Sequence, residues 1–313
     1  MRVLVTGATG FVGSHVAEAL VAAGHEVVVS LRGRSNPRWL AGLEVERRAL
    51  DLALPDRASE ALAGVEAIVH AGGITRATDE TEFRRVNVEG TRSLLRAAVA
   101  AGVRRCLLIS SLAARGPDGR PAELSAYGRS KLEAEQVATG FADTLEVAAL
   151  RLAGVYGPRD TDLLPLFRMA RRGFVLLPRR EARLQPVFAA DVAELVARLL
   201  SRSIGFGPWP IAEPRSYRWA EVGPLMGAAL GRPVRALHAA SALFLTAAAA
   251  AEGVARLRRR APAFDRRRAL DLARHAYTCD LAGTEAATGW RARVGLAEGL
   301  ARTAHWYREH GWL

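Results

Sequence analysis

Lysine is nearly missing from this chain of 313 residues: 43 of its 44 basic residues are arginine, and Lys131 is the one lysine. Asparagine is almost as scarce, with Asn36 and Asn87 alone. An arginine- and alanine-rich composition of this kind fits a GC-rich coding sequence. The formal charge of +12 is therefore weak support for the nucleic-acid partner that a basic balance otherwise suggests. No basic stretch is interleaved with aromatic side chains like an RNA-stacking platform, so we expect no nucleic-acid binding. The two cysteines, Cys106 and Cys279, are too few for a disulfide scaffold and lack metal-ligand spacing. His238, His275, His305 and His310 lack it too, so no metal is expected. There is no internal repeat. The N-terminal MRVLVTG runs straight into a strand-like segment without a signal-peptide pattern, so the expected compartment is the cytoplasm. With 50% apolar and 24% charged residues the chain is not disordered. Its length suits one large domain or two modest ones.

The scarcities have a use. Where the chain spends a lysine or an asparagine, a chemical requirement explains it better than drift.

The first 150 or so residues alternate between β-branched runs and helical patterns. Strands are predicted at Arg2–Val5, Glu26–Leu31, about Glu44–Leu50, Ala67–His70, Cys106–Ser110 and Glu146–Leu150. Helices are predicted at Ser14–Ala23, Thr91–Ala101 and Ser130–Ala138. Continuous apolar strands separated by helices point to an α/β fold, a doubly wound parallel sheet covered on both faces. After Val155 the pattern loosens. Gly and Pro cluster at 154–158 and 205–214, with helical stretches near Leu163–Arg172, Asp191–Ser201 and Trp219–Leu230. We read 1–152 with about 183–204 as a dinucleotide-binding domain, and about 153–182 with 205–313 as a smaller C-terminal substrate-binding domain.

The first predicted strand leads into Gly7-Ala8-Thr9-Gly10-Phe11-Val12-Gly13, and a helix follows at once. Glycines in this place permit a tight turn, close backbone approach to a pyrophosphate and close helix–strand packing. The helix N-terminus offers free N–H donors. Tyr127 and Lys131 are four apart at the start of a helix and share a face. A phenol with a pKa of about 10 is a poor acid–base group at neutral pH, and a nearby ammonium favours its phenolate. A surface tyrosine and lysine at ordinary helical spacing is the bland alternative, and the chain's one lysine falling here argues against it. For Asn87 the bland alternative is a capping or core asparagine.

TGATGFVGSHV at 6–16, with its Gly-x-x-Gly-x-x-Gly spacing, resembles the extended short-chain dehydrogenase/reductase family. The resemblance runs along the whole chain. It includes Asp51-Leu52, Val69-His70-Ala71-Gly72-Gly73, Val86-Asn87-Val88-Glu89-Gly90-Thr91, Ile109-Ser110-Ser111, Tyr127-Gly128-Arg129-Ser130-Lys131, Leu150-Arg151 and Val155-Tyr156-Gly157-Pro158-Arg159-Asp160. It implies a Rossmann-type sheet and a nicotinamide cofactor. That cofactor would be held by Gly7, Thr9, Gly10, Phe11, Val12, Gly13, Asp51 near the adenine, Leu52, Ala71, Gly72 and Asn87. Tyr127 and Lys131 would touch both cofactor and chemistry, with the lysine on the nicotinamide ribose. Ser111 would hydrogen-bond the substrate oxygen; Ser110 is the alternative, and counting back from Gly116 in the family pattern favours Ser111. His70 reads as a strand residue near the cofactor, and His15 as facing solvent or a helix neighbour. Trp290, Trp306, Tyr307 and Trp312 read as packing.

Two local departures bear on the reaction. Sugar-nucleotide members often carry Asn in an Arg-x-x-Asn-x-x-Gly segment. Here Arg151-Leu152-Ala153-Gly154-Val155-Tyr156-Gly157 has Gly154 in that place, more like the 3β-hydroxysteroid and sterol dehydrogenase branch. Dehydratases place acids after the catalytic Ser or Thr, whereas Leu112-Ala113-Ala114 offers none. The expectation is an oxidoreductase moving a hydride between nicotinamide and a secondary alcohol or ketone, with a hydrophobic, steroid- or lipid-like substrate. The alternatives are a nucleotide-sugar epimerase or dehydratase, and a non-catalytic cofactor-sensing regulator, which usually lacks the Tyr–Lys pair.

An NAD site usually offers an acid about 20 residues beyond the glycine loop. This chain has Arg32 there, 19 residues past Gly13, suited to a 2′-phosphate with Ser30 and Arg34 assisting. NADP is expected, with NAD the second choice. Ala236–Ala251 is 16 residues without a formal charge, short of the roughly 20 strongly apolar residues of a spanning helix. Seven arginines follow between 256 and 268. Residues 236–268 read either as a peripheral contact on an anionic bilayer or as an Ala-rich helix over the substrate pocket with a solvated basic loop. Oligomeric state is open, with a homodimer as one outcome.

Overall fold

The computed structural model describes residues 1–53, 58–116, 119–120, 124–179, 181–238, 246, 249 and 277–313. Along the first half run β1 (Arg2–Thr6), α1 (Phe11–Ala22), β2 (Glu26–Leu31), β3 (Val45–Ala49), α2 (Ala58–Ala61), β4 (Ala67–His70), α3 (Glu80–Phe83), α4 (Gly90–Ala100), β5 (Arg105–Ser111), α5 (Ala126–Thr139) and β6 (Glu146–Leu152). A π-helical stretch, Arg84–Glu89, joins α3 to α4. Then come β7 (Gly154–Tyr156), α6 (Leu164–Arg171), β8 (Phe174–Leu177), β9 (Arg183–Leu184), β10 (Pro186–Phe188), α7 (Ala189–Leu199), β11 (Trp209–Ile211), β12 (Tyr217–Arg218), α8 (Trp219–Leu230) and β13 (Arg235–His238). After the undescribed stretch follow α9 (Ala282–Thr288) and α10 (Leu296–Glu309).

The main sheet has seven strands in the order β3-β2-β1-β4-β5-β6-β11, and every neighbouring pair is parallel. Period-2 side-chain alternation feeds two layers. Val3, Val5, Val27 and Val29 enter one core with Val16 and Leu20 of α1 and Val192, Leu195 and Val196 of α7. Leu4, Val28, Ile68 and Leu108 enter the other with Ala58 and Ala61 of α2 and Leu94 and Leu95 of α4. Burial on both faces is why the strands read as unbroken apolar runs. The strand order reverses between β1 and β4, so a crevice opens beyond their carboxyl ends, the place where ligands collect in such sheets.

A third core joins Tyr156, Phe167, Leu177, Phe188, Trp219, Met226, Leu300 and Tyr307. It carries the small pairs β7–β10, β9–β12 and β8–β13. Some expectations change here. Helix α5 starts at Ala126 rather than Ser130. Strand β11 lies past residue 205 yet completes the main sheet. Ala236 and Leu237 belong to strand β13, paired with β8, not to the start of an apolar helix. Most of the rest of 236–268, the arginine cluster included, lies outside the described residues. Among the described residues no helix is long and apolar enough to cross a membrane.

Candidate active site

The glycine loop forms a cradle at the switch point. Gly7 has φ +71°, a region that side chains rarely adopt. A Cβ on it would also lie 2.7 Å from Ala71 O. Gly10 N donates to Gly7 O at 2.9 Å and Ser14 N to Gly10 O at 3.0 Å. A Cβ on Gly13 would overlap Gly7 O, so only glycine lets α1 start this close to the turn. The first turn of α1 has no side-chain cap and no acid. Its N–H donors and positive dipole end therefore have no anion from their own turn to satisfy them. Thr9 is in the loop before α1, Phe11 packs edge-on against His15 at 5.6 Å, and Val12 packs on the core. The opposite wall is Ala71-Gly72. Gly72 N donates to Thr6 Oγ1 at 2.9 Å, and a Cβ there would press on Thr6 and Leu52. Asp51 closes a local turn by accepting from Ala53 N at 2.9 Å. These features fit a dinucleotide pyrophosphate.

The second group of residues comes together on β5 and α5. Ser125 caps α5 by accepting from Gly128 N at 3.0 Å. A Cβ on Gly128 would overlap Ala113 O, so a bare glycine lets the first turn of α5 rest on the turn that follows Ser111. That contact brings Tyr127 up to the end of β5. Ser111 is half-buried and its Oγ accepts from Ala113 N at 3.2 Å, which leaves its proton to donate outward. Ser110 points the other way: it is buried, and its hydroxyl donates to Glu135. Tyr127 is half-buried, with its ring 6.1 Å from Phe83. Lys131 Nζ donates to Ile109 O at 2.8 Å and stands 3.8 Å from where a Gly73 Cβ would be. Burial pushes the Lys131 ammonium down to about 8, against the upward pull of Glu135.

Glu135 is the residue the sequence reading missed. It is 3% exposed and takes Arg151 in a two-pronged pair, Nε–Oε1 3.0 Å and Nη2–Oε2 2.7 Å. With Ser110 it locks β5, α5 and β6 together beneath Tyr127 and Lys131. The signal available was the i, i+4 series Tyr127, Lys131, Glu135 on one helix face.

Asn87 sits in the π-helical stretch, buried. Its Oδ1 accepts from Ile74 N at 2.8 Å, and its Nδ2 donates to Ile74 O at 3.0 Å and Ser130 Oγ at 2.9 Å. Its amide is committed to shaping the loop after β4 and tying it to α5. His70 is also a strut. Thr91 donates to Asn87 O at 2.6 Å, so its oxygen accepts from His70 Nε2 at 2.9 Å. Nδ1 then accepts from Thr6 at 2.7 Å. Burial holds the His70 pKa down at about 3, so it stays neutral in one tautomer and offers no base.

His15 faces a helix neighbour, Phe11, rather than solvent. It is buried against Pro158, with Nε2 2.9 Å from Pro158 O, and burial lowers its pKa. Arg159 secures the same joint, reaching Ser14 Oγ at 3.2 Å and Glu18 at 2.9 Å. Arg32 is exposed in a turn closed by Ser35, whose Oγ accepts from Arg32 N at 3.0 Å. Among the described residues no carboxylate lies within salt-bridge reach of its guanidinium, and no cluster of His, Cys, Asp and Glu could hold a metal ion.

Comparison with known proteins gives a consistent picture. The model of the NAD-dependent epimerase/dehydratase family matches residues 3–207. A ceramide reductase of Caulobacter vibrioides is 34% identical over 316 residues, covering 99% of this chain and 96% of its own. Sterol demethylase protein B of Methylococcus capsulatus is 37% identical over 174 residues, 51% of this chain and 53% of its own. Among solved structures, MoeE5 in complex with UDP-glucose and NAD superimposes with a TM-score of 0.78 at 26% identity, covering 99% of each chain.

Proposed function

This chain belongs to the NAD-dependent epimerase/dehydratase family, and on that premise we propose that it interconverts a ketone and a secondary alcohol on an apolar, lipid-like substrate with a nicotinamide dinucleotide. One observation carries the reading. Gly128 lets α5 rest on the turn after Ser111, so Tyr127 and Lys131 stand with Ser111 at the mouth of an acid-free anion cradle. When bound, the cofactor supplies or accepts the hydride. Tyr127 moves the proton at the substrate oxygen, Ser111 donates a hydrogen bond to that oxygen, and the Lys131 ammonium lowers the cost of the phenolate. Gly7, Thr9, Gly10, Phe11, Val12 and Gly13 would hold the pyrophosphate. Asp51, Leu52, Ala71, Gly72 and Asn87 would shape the remaining walls. We assign the cofactor to 1–152 with 183–204 and strand β11, and the substrate to the remaining parts. The apolar substrate class draws support from the name of the full-length relative, ceramide reductase. It also draws support from Gly154 and from Leu112-Ala113-Ala114, which give no grip on a diphosphate and no acid for dehydration. A screen of apolar ketones and UDP-sugars, read by cofactor absorbance, tests the reading.

NADP is the preferred cofactor in this account. Arg32, just past β2 and next to the glycine loop, can pair with a 2′-phosphate, and no acid ends the strand to hold ribose hydroxyls instead. Wild type is expected to favour NADPH over NADH in kcat/KM. Arg32→Ala is expected to shrink that ratio by at least tenfold, roughly one lost charge-assisted pair of about 1.5–3 kcal/mol. A wild-type preference for NADH contradicts it.

A lipid substrate also makes a bilayer the natural source, and we assign a peripheral contact to residues 236–268 from their composition: an uncharged stretch followed by arginines. The described chain resumes at Tyr277, and Thr278 O accepts from Arg115 at 2.6 Å, close behind the Ser111 turn. The protein is expected to float with anionic but not neutral liposomes at low salt, to be released by high salt, and to lose binding when Arg258, Arg259 and Arg260 become Gln. Failure to float with anionic vesicles at low salt removes the contact.

A further inference from the structure

Two of the four exposed large hydrophobic side chains among the described residues share one sheet face: Phe174, 39% exposed, and Leu237, 40% exposed. They belong to the small parallel pair β8–β13. Burial alternates along β8, where Val175 and Leu177 enter the third core. Phe174 and Leu176 therefore point outward. The register sets Phe174 beside Arg235 and Leu176 beside Leu237, and residues in register share a face. The outer face thus presents Phe174, Leu176 and Leu237, with exposed Arg235 at its edge. Scattered exposed apolar residues need no explanation, but a cluster on one face does.

The charge around this face is of one sign. Neither 163–179 nor 222–238 contains an Asp or Glu, in a chain with 32 acids. Arg168, Arg171 and Arg172 lie at the end of α6, just ahead of Phe174. Arg232 reaches over Gly173 and donates to Arg171 O. Among the described residues none of Arg168, Arg171, Arg172, Arg232 and Arg235 forms an ion pair. Elsewhere arginine is commonly neutralised, as Arg48 by Glu46, Arg105 by Glu146 and Arg291 by Glu285. This charge narrows the partner. A second copy of the same face would meet arginine with arginine. A nucleic acid would match the arginines and leave Phe174, Leu176 and Leu237 without apolar cover. An anionic bilayer takes both, with hydrocarbon for the three apolar side chains and phosphates for the guanidiniums.

We propose that the outer face of β8–β13, with the arginines at the end of α6, is a docking surface for an anionic lipid bilayer. The inference extends the peripheral contact assigned above, and its test uses residues outside 236–268. The probes are vesicles of phosphatidylcholine with phosphatidylglycerol, and of phosphatidylcholine alone, read by flotation at low salt. Wild type is expected to bind the anionic vesicles only. Changing Arg171, Arg172 and Arg235 together to Gln is expected to lower that affinity by roughly 100-fold, the summed effect of three arginines at an anionic surface. Changing Arg47, Arg85 and Arg96 to Gln removes the same charge from β3, the π-helical stretch and α4, where all three are exposed. It is expected to stay within about threefold of wild type, because distant charges are screened. Phe174→Ser is expected to lower vesicle affinity by roughly tenfold through lost apolar contact, and Phe174→Trp, which keeps a ring there, to retain it. Equal losses in the two triple variants, or an unchanged Phe174→Ser, overturn this surface and leave the contact at 236–268 standing. Self-association of wild type that Phe174→Ser abolishes, with vesicle affinity unchanged, gives the face to a second copy and overturns it too. A wild-type protein that binds neither kind of vesicle overturns both contacts.

Discussion

Replacing Tyr127 by Phe is expected to lower turnover by roughly 10²–10⁴-fold, the usual cost of losing a positioned proton donor, while NADPH affinity stays near wild type. The phenylalanine ring keeps the contact with Phe83, 6.1 Å between centroids. The cap of Ser125 on Gly128 N and the rest of Gly128 on the Ser111 turn do not involve the hydroxyl. What the substitution removes is the hydroxyl, and with it the proton that the reaction needs. Lys131→Ala differs in kind: it removes an ammonium that already holds Ile109 O, so turnover and cofactor affinity both fall. Near-full activity of Tyr127→Phe on the substrate would place the proton transfer elsewhere.

The second large effect is expected at Glu135. Breaking a buried ion pair by removing one partner costs about 3–5 kcal/mol, because the other charge stays buried alone. Here the stranded group would be Arg151, whose side chain is 16% exposed, and Ser110 would lose its acceptor as well. Denaturant unfolding of Glu135→Ala is expected to show that loss, and Glu135→Ala with Arg151→Ala to lose less than the sum of the two. A catalytic signature separates position from mere stability. The carboxylate of Glu135 raises the Lys131 pKa, which burial otherwise depresses to about 8. Without it, Lys131 gives up its proton at lower pH. If the ammonium is the working form, the alkaline limb of the kcat/KM profile of Glu135→Gln moves to lower pH. An unmoved limb, with stability unchanged, would reduce Glu135 to a bystander.

The parts of this site legible in the sequence are those where a rare residue or a forced conformation stands out. Lys131 is conspicuous because the chain has no other lysine. Gly7 and Gly13 are conspicuous because a turn between strand and helix needs them. The parallel order of β1, β2, β4, β5 and β6 follows from apolar runs that are buried on both faces. Arg151 stood out as part of a motif, but its partner Glu135 looked like any other helix carboxylate, and with it the pair that anchors α5 went unread. Helix α5 begins four residues before Ser130, and the glycine inside its first turn, Gly128, is accounted for by the approach of Ala113 O, which lies outside any local pattern. Strand β11 contains Pro210, which argues against a central strand, yet the strand is the outermost of the sheet, where proline is tolerated. The helix neighbour of His15, Phe11, was within reach of a local reading, but its second partner, Pro158 O, is 143 residues away in the chain, a contact that no local pattern announces.

The most direct test of the central claim follows the hydride itself. The protein is incubated with 8-pentadecanone and NADPH deuterated at the transferable C4 position, and the products are analysed by mass spectrometry. The account predicts 8-pentadecanol carrying one deuterium on the carbinol carbon, formed by wild type and not detectably by Tyr127→Phe. No labelled alcohol from the ketone, together with conversion of a UDP-sugar without net consumption of cofactor, would contradict it.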